Sequence, residues 1–185
     1  EWHVRAIEVA RVGQHADGVL RHAARAIACG VTGDALGAVR WHEACARAWR
    51  GDMLGAEDAA RAALRWLPSD DDRRYGALIE LAQATAMLGQ VPALRALVDE
   101  LPVDAAPRSP REAQARAVLT AELWLTAQVD LATPMLAALA RIPARWLDDE
   151  PMLAARCAWA QALAAQFHGD LAAALAHDRA ALGHM

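Results

Sequence analysis

The chain has 185 residues, about a quarter of them alanine, and its formal net charge is −4. This length fits one domain with a sizeable core, and the acidic balance argues against a protein that mainly binds a nucleic-acid backbone. All 19 basic residues are arginine, and they are dispersed among acidic residues and do not form a basic run.

Cysteine use and hydropathy exclude further classes of protein. The three cysteines are Cys29, Cys45 and Cys157; they are widely spaced and form no CxxC pattern, so we expect neither a disulfide framework nor structural zinc. No apolar run has the length of a membrane span, and no signal peptide is evident. We therefore predict a cytoplasmic protein. Because the chain begins at Glu1 and not at Met, we expect it to be a fragment of a larger protein.

The first half of the chain has the pattern of helices that stop at glycine. Apolar residues recur at helical spacing in each segment. Gly51 ends one helix, Asp52 can cap the next, and Pro68 prevents its continuation. Ser69 and Asp72 then have the spacing of a capping box. The predicted helices cover residues 2–12, 15–29, 33–50, 52–67 and 69–89.

Proline marks most helix boundaries in the second half. Ser109, Pro110 and Glu112 combine an N-cap, a first-turn proline and a capping-box carboxylate. Pro134 is predicted in the first turn of a short helix. No segment shows the alternation of a β-strand. The predicted helices cover residues 92–101, 110–129, 133–142, 151–168 and 170–183.

The predicted turns between helices recur at a regular spacing. They fall at Gly51, Gly89, about Val129 and Gly169, and a period of about 38 to 40 residues is typical of helical hairpins stacked into a solenoid. We therefore predict an all-α chain in which residues 1–185 form a single helical-repeat domain of antiparallel hairpins.

Two stretches carry a resemblance to a known family. In residues 50–68, RGDMLGAEDAARAALRWLP, the places of the pattern are the turn at Gly51 and Asp52, the small crossing position at Ala56, the last turn at Ala63 and Leu64, and the end at Pro68. The final hairpin matches these places with Gly169, Asp170, Ala174, Ala181 and Leu182. These residues resemble tetratricopeptide repeats (TPR), in a degenerate form similar to the sensor regions of bacterial transcription activators of the maltose-regulator type.

The resemblance implies a right-handed TPR-like solenoid whose first helices line a concave surface. Such a surface binds peptides or helices in the family. Two departures from the family pattern are Arg40 and Arg47, which replace the usual bulky residues. Carried over to this sequence, the partner-binding groove comprises Trp41, Cys45, Trp49, Ile79, Gln83, Met87, Leu119, Leu123, Trp159, Leu163 and Phe167.

This set is largely apolar and rich in tryptophan, which suits an amphipathic helix or an apolar peptide. The alternative interpretation is that the same residues form the core between neighbouring repeats, or are covered by a segment of the longer protein. Composition alone does not separate these two interpretations.

No pattern of catalysis is present. The sequence lacks the GxxxxGK[ST], GxGxxG, HExxH and GxSxG patterns. His42 and Cys45 have the spacing of two adjacent metal ligands, but no second pair completes a site. The DDDRR run at residues 70–74 is typical of a solvated helix start. We expect no enzyme, no metal and no cofactor.

The sequence thus predicts a non-catalytic module that binds a protein or peptide partner, within a bacterial signalling or transcription regulator. The alternative is a sensing domain of such a regulator, in which the same groove holds a small apolar effector. Neither interpretation involves direct contact with nucleic acid or a membrane.

Overall fold

The computed structural model describes residues 6–8, 10 and 15–183. These residues form helices joined by short connections, with no β-strand among them, so the predicted all-α class is confirmed. Residues 6–8 and 10 are helical, and the rest of the helix predicted over 2–12 lies outside the described residues. Within the described part of the chain, every helix is too short or too polar to cross a lipid bilayer.

The chain folds into two compact units that divide between Leu88 and Gly89. The helices of the first unit are α1 (Ala16–Ala28), α2 (Gly33–Trp49), α3 (Met53–Leu64) and α4 (Asp72–Met87). The second unit contains α5 (Val91–Ala96) with a 3-10 turn (Leu97–Glu100), then α6 (Pro110–Leu125), α7 (Val129–Leu139), α8 (Ala144–Asp149), α9 (Pro151–Phe167) and α10 (Leu171–Gly183).

Small residues allow the helices of the first unit to cross closely. Helix α2 packs against α1 and α3, and α4 packs against both α2 and α3. Ala56, Ala60 and Ala63 of α3 are fully buried at these contacts. A Cβ atom added at Gly37 would lie 2.8 Å from Cγ of Leu67, so glycine is required for this approach.

Trp41 marks the contact between α2 and α4. A Cβ atom added at Gly76 would lie 2.6 Å from Cε2 of the Trp41 indole. Trp41 and Leu64 also pack against a buried cluster of Ala63, Leu67 and Ala77. The Gly76–Ala77 pair of α4 therefore sits on the surface that α2 and α3 present together.

Replacing Gly76 by alanine is expected to destabilise the protein by about 1–3 kcal/mol, because the added methyl group overlaps the Trp41 ring. At an open position of a helix the effect is the opposite, because replacing glycine by alanine there stabilises the helix by up to about 1 kcal/mol. Urea unfolding measures the change. Gly183→Ala is the matched control, since its Cβ would meet no atom within 4 Å, and equal effects of the two substitutions would contradict the contact.

The second unit is built around α6, which packs against α7 and α9, while α9 also packs against α8 and α10. Every residue from 112 to 124 is buried. Alanines of α6 meet larger side chains of the neighbouring helices in one cluster, made of Ala113, Ala117, Ala121, Leu139, Ile142, Leu153, Cys157 and Ala160.

The turns adopt one repeated geometry. The residue after each helix C-cap has a positive φ angle at Gly51 (75°), Gly89 (66°), Ala127 (57°) and Gly169 (78°). The turn predicted near Val129 therefore lies at Ala127, and α6 ends at Leu125. Alanine in the left-handed region carries no glycine signal and costs about 1 kcal/mol, which is why the sequence pattern placed this boundary too late.

Two further boundaries differ from the prediction, and a short helix was missed. Asp71, not Ser69, caps α4; its carboxylate accepts the Arg73 backbone N–H at 2.8 Å. The pKa of Asp71 is lowered, chiefly by hydrogen bonds from the Arg73 side chain and further by the bond from the Arg73 backbone N–H. Pro134 lies inside α7 and not in its first turn. The missed helix is α8, six residues long.

The N-cap of α6 forms as predicted, but the predicted reciprocal bond is displaced. The Ser109 hydroxyl oxygen accepts the Glu112 backbone N–H at 3.2 Å. The Glu112 carboxylate accepts the backbone N–H of Arg108 at 3.1 Å, whereas a capping box would direct it to Ser109. The carboxylate also faces Arg116, one turn further along the helix.

Candidate functional site

An apolar pocket of about 570 Å³ lies between α9 and α10. Trp159, a member of the predicted groove, forms one wall, and Leu182, which is 66% exposed, forms the opposite rim. The complete lining consists of Ala155, Arg156, Trp159, Asp178, Ala181 and Leu182.

The two helices bring these side chains together through helical spacing. Ala155 and Trp159 are four residues apart on α9, and Asp178 and Leu182 are four residues apart on α10, so each pair shares one helix face. The turn at Gly169 and Asp170 sets the crossing, because the Asp170 carboxylate accepts the Ala173 N–H at 2.9 Å and starts α10. The pocket is thus a product of the final hairpin alone.

The pocket between α9 and α10 has few polar groups. Its walls are mostly apolar, and its polar groups are the charges of Arg156 and Asp178, which are opposite in sign. Ligand pockets of proteins have this composition: apolar walls with a few polar groups that fix orientation.

The predicted groove residues of the first unit divide between core and surface. Trp49 and Met87 are exposed, each two residues before its turn glycine. Ile79 is buried, and Gln83 is half-buried. Trp41 and Cys45 are also half-buried: the Trp41 indole rests on Gly76, and the Cys45 thiol donates to Oε1 of Glu80 at 3.4 Å.

The predicted groove residues of the second unit divide in the same way. Leu119 and Leu123 are buried within α6. Trp159 and Leu163 are half-buried and pack against the core cluster of this unit. Phe167 is exposed, and its ring centroid lies 5.2 Å from that of Trp124. Of these residues, Trp159 lines the pocket between α9 and α10.

Sequence reasoning missed one exposed apolar side chain and most of the pocket. Leu125 is exposed and lies two residues before the turn residue Ala127. In the same way, the exposed residues Trp49, Met87 and Phe167 lie two residues before their turn glycines. Aligning the hairpins on their turn residues would have identified Leu125, but a turn at an alanine cannot be recognised in the sequence. The missed pocket residues are Ala155, Arg156, Asp178, Ala181 and Leu182; of these only Ala181 and Leu182 had been matched to the repeat.

His42 and Cys45, which have the spacing of two adjacent metal ligands, make other contacts. The His42 ring stacks on Trp41 with centroids 4.6 Å apart, and the Cys45 thiol faces Glu80. In the described ranges, no three His, Cys, Asp or Glu side chains converge in a geometry that could hold a metal ion.

A second cleft, of about 370 Å³, lies along α2 and α3 and is polar. Three of its four arginines form ion pairs within the chain: Glu43 accepts from Arg40 at 2.8 Å and from Arg47 at 2.9 Å, and Glu57 accepts from Arg61 at 2.9 Å. Arg40 and Arg47 thus share one buried carboxylate.

The three thiols differ in environment, which predicts different reactivities. Cys29 is exposed and Cys157 is buried, and burial raises the pKa of the Cys157 thiol to about 12. Because the thiolate is the reactive form, iodoacetamide at about pH 8 is expected to alkylate Cys29 and leave Cys157 unmodified until the protein is unfolded. Peptide mass spectrometry reads both sites. Equal alkylation of the two in the folded chain would contradict the burial of Cys157.

Comparison with known proteins adds no relative: no protein-family model, curated protein or solved structure shows significant similarity to this chain.

Proposed function

We propose that this chain is a non-catalytic, TPR-like module that binds a peptide or helix of a partner protein, within a bacterial signalling or transcription regulator. The observation that carries the proposal is the apolar pocket between α9 and α10, with Trp159 as its largest wall residue. Large aromatic side chains in apolar pockets supply much of the energy of helix and peptide binding.

The repeated turns support the solenoid arrangement that the proposal includes. Gly51, Gly89 and Gly169 share the left-handed turn geometry with Ala127. In the first unit, α4 contacts both α2 and α3, as the first helix of a following hairpin does in a stacked array. Stacked hairpins bury the faces between neighbours.

A second candidate function is the binding of a small apolar effector. The pocket volume of about 570 Å³ lies within the range of small-molecule sites. Arg156 and Asp178 would then orient a polar group of the effector. This alternative uses the same walls, so the choice of ligand in an experiment separates the two.

Intrinsic tryptophan fluorescence tests both candidates. The intact chain is titrated with amphipathic helical peptides that lack tryptophan, and separately with small aromatic and aliphatic compounds. The proposal predicts saturable changes with peptides that Trp159→Phe abolishes. Trp66→Phe is the matched control, because Trp66 is exposed and lies outside the pocket lining.

A response to small compounds alone would replace the proposal by the effector-binding alternative. A peptide response that survives Trp159→Phe but is lost in Trp49→Phe would move the binding surface to the first unit. The second result would contradict the assignment of the pocket, whereas the first would keep the pocket and change its ligand.

A further inference from the structure

The polar cleft along α2 and α3 contains two charged side chains that the fold leaves unused. The cleft encloses about 370 Å³, and its lining includes the carboxylate of Asp58 and the guanidinium group of Arg65. Both residues are exposed. Among the described residues, neither side chain has a hydrogen bond or an ion pair. Asp58 and Arg65 are therefore available to a ligand.

The other charges around the cleft are balanced within the chain. The ion pairs have lengths of 2.8 to 2.9 Å and join Arg40 with Glu43, Arg47 with Glu43 and Asp52, and Arg61 with Glu57. The Glu43 and Glu57 side chains are each 11% exposed, so they hold these guanidinium groups in place from beneath. The charges that remain unbalanced are one carboxylate, on Asp58, and one guanidinium group, on Arg65.

Asp58 and Arg65 lie on one face of α3 at a distance that a small molecule can bridge. They are seven residues apart, so their Cα atoms are about 10 Å apart along the helix axis. Helical side chains lean toward the N-terminus, so the long Arg65 side chain shortens this gap. Two charge-assisted hydrogen bonds of about 3 Å each then leave room for a ligand whose own opposite charges are close together.

Small residues keep the space between the two charges open. Ala62 lies between Asp58 and Arg65 on the same helix face and lines the cleft, as does Ala59, which is 4% exposed. A ligand that pairs with both charges therefore rests on these two alanines. A large side chain at position 62 would occupy its place.

We propose that this cleft binds a free α-amino acid, whose ammonium group pairs with Asp58 and whose carboxylate pairs with Arg65. A ligand with only one charge would leave either Asp58 or Arg65 unpaired, so the cleft prefers a zwitterion. The proposal does not depend on peptide binding at Trp159.

The walls of the cleft favour an amino acid with an acidic side chain. Arg40 donates to Glu43 from Nη1 alone, and Arg61 donates to Glu57 from Nε and Nη2. Because a guanidinium group has five N–H donors, both arginines retain donors for a second carboxylate. Glutamate is therefore expected to bind more tightly than lysine.

The test is a titration of the intact chain, followed by nitrogen–proton correlation spectra at low ionic strength, where ion pairs are least screened. The ligands are glutamate, lysine, glutarate, which lacks the ammonium group, and γ-aminobutyrate, which lacks the α-carboxylate. The amide signals of Ala59 and Ala62 locate the binding site, and their shifts provide the dissociation constants.

We expect glutamate to shift both amide signals and to bind about threefold to fivefold more tightly than each of the other ligands. Arg65→Gln and Asp58→Asn are each expected to weaken glutamate binding by a similar factor. Ala62→Leu is expected to abolish it by filling the cleft. Arg145→Gln is the matched control, because Arg145 is exposed and lies outside the cleft lining.

Three results would overturn the inference. Equal binding of glutamate and glutarate would show that the cleft recognises an anion and not a zwitterion. Glutamate binding that is unchanged in both Arg65→Gln and Asp58→Asn would place the ligand elsewhere. Absence of any shift at Ala59 and Ala62 at saturating glutamate would reject the site. None of these results affects peptide binding at Trp159, which has its own variants and readout.

Discussion

Replacing Glu112 by alanine is expected to lower the free energy of unfolding by about 3–5 kcal/mol, because it leaves the guanidinium group of Arg116 buried without its partner. The side chains of Arg116 and Glu112 are 2% and 3% exposed, and Arg116 Nη2 lies 2.5 Å from Glu112 Oε1. Arg116 also donates to the Ala105 carbonyl at 2.7 Å, which attaches the preceding loop to α6.

The hydrogen bonds of this carboxylate outweigh the cost of burying it. Burial by itself would raise the pKa of Glu112, but the Arg108 backbone N–H and the Arg116 and Arg108 side chains together hold it below its ordinary value. The folded state therefore favours the ionised form. Acid removes this contribution as the pH falls through the folded-state pKa of Glu112.

Urea unfolding near neutral pH measures the loss for Glu112→Ala. Arg108→Ala is the matched control, since the Arg108 side chain is 67% exposed and its ion pair with Glu112 is worth less than about 1 kcal/mol. The double variant Glu112→Leu with Arg116→Met is expected to recover most of the stability, because it removes both buried charges. A loss below about 1 kcal/mol for Glu112→Ala would contradict this account.

The stability of the chain is expected to fall between about pH 5.5 and pH 8 through Glu122, by about 2 kcal/mol in that interval. Glu122 is 7% exposed, and burial raises the pKa of its carboxyl group from 4.5 to about 7. The folded chain therefore holds a proton that the unfolded chain has lost in this range. The neutral Glu122 carboxyl group contributes its full stabilisation when the pH is below the pKa of this group in the unfolded chain. This contribution is lost as the pH rises through the pKa of the group in the folded chain.

Glu122→Gln isolates this effect, because glutamine is similar in shape and does not titrate. Unfolding free energies of both proteins are measured by urea at about pH 5.5 and about pH 8. The wild type is expected to lose about 2 kcal/mol more than the variant over this interval. Parallel pH profiles for the two proteins would show that the Glu122 carboxyl group is solvated in the folded chain.

The sequence predicted the features of the fold that local chemistry determines. Glycine stops at Gly51, Gly89 and Gly169 and the Ser109 cap are local signals, and the structure contains each of them. The turn at Ala127 was misplaced because alanine gives no sequence signal for a left-handed backbone; the turn is closed by backbone hydrogen bonds from Ala127 to Trp124 and from Gln128 to Leu123. Likewise, Asp71 and Ser69 are both residue types that cap helices, and in the structure Asp71 is the cap.

The candidate site depended more strongly on tertiary packing. A period of 3.6 residues identifies apolar faces, but it does not say which face meets a neighbour. Ile79, Leu119 and Leu123 are therefore buried, although the repeat places them with the exposed Trp49 and Phe167. Trp159 belonged to the predicted groove, yet the sequence did not show that it forms a pocket wall, because the opposite wall comes from Ala181 and Leu182 of α10.

The central claim is that a peptide or helix of a partner protein occupies the pocket at Trp159. The most direct test is a nitrogen–proton correlation spectrum of the indole groups, assigned with Trp159→Phe and Trp41→Phe, before and after addition of an amphipathic helical peptide that lacks tryptophan. The account predicts that the Trp159 indole signal moves on binding, whereas the Trp41 signal, already covered by Gly76, does not. A shift confined to Trp41, or no shift at Trp159 at saturating peptide, would contradict it.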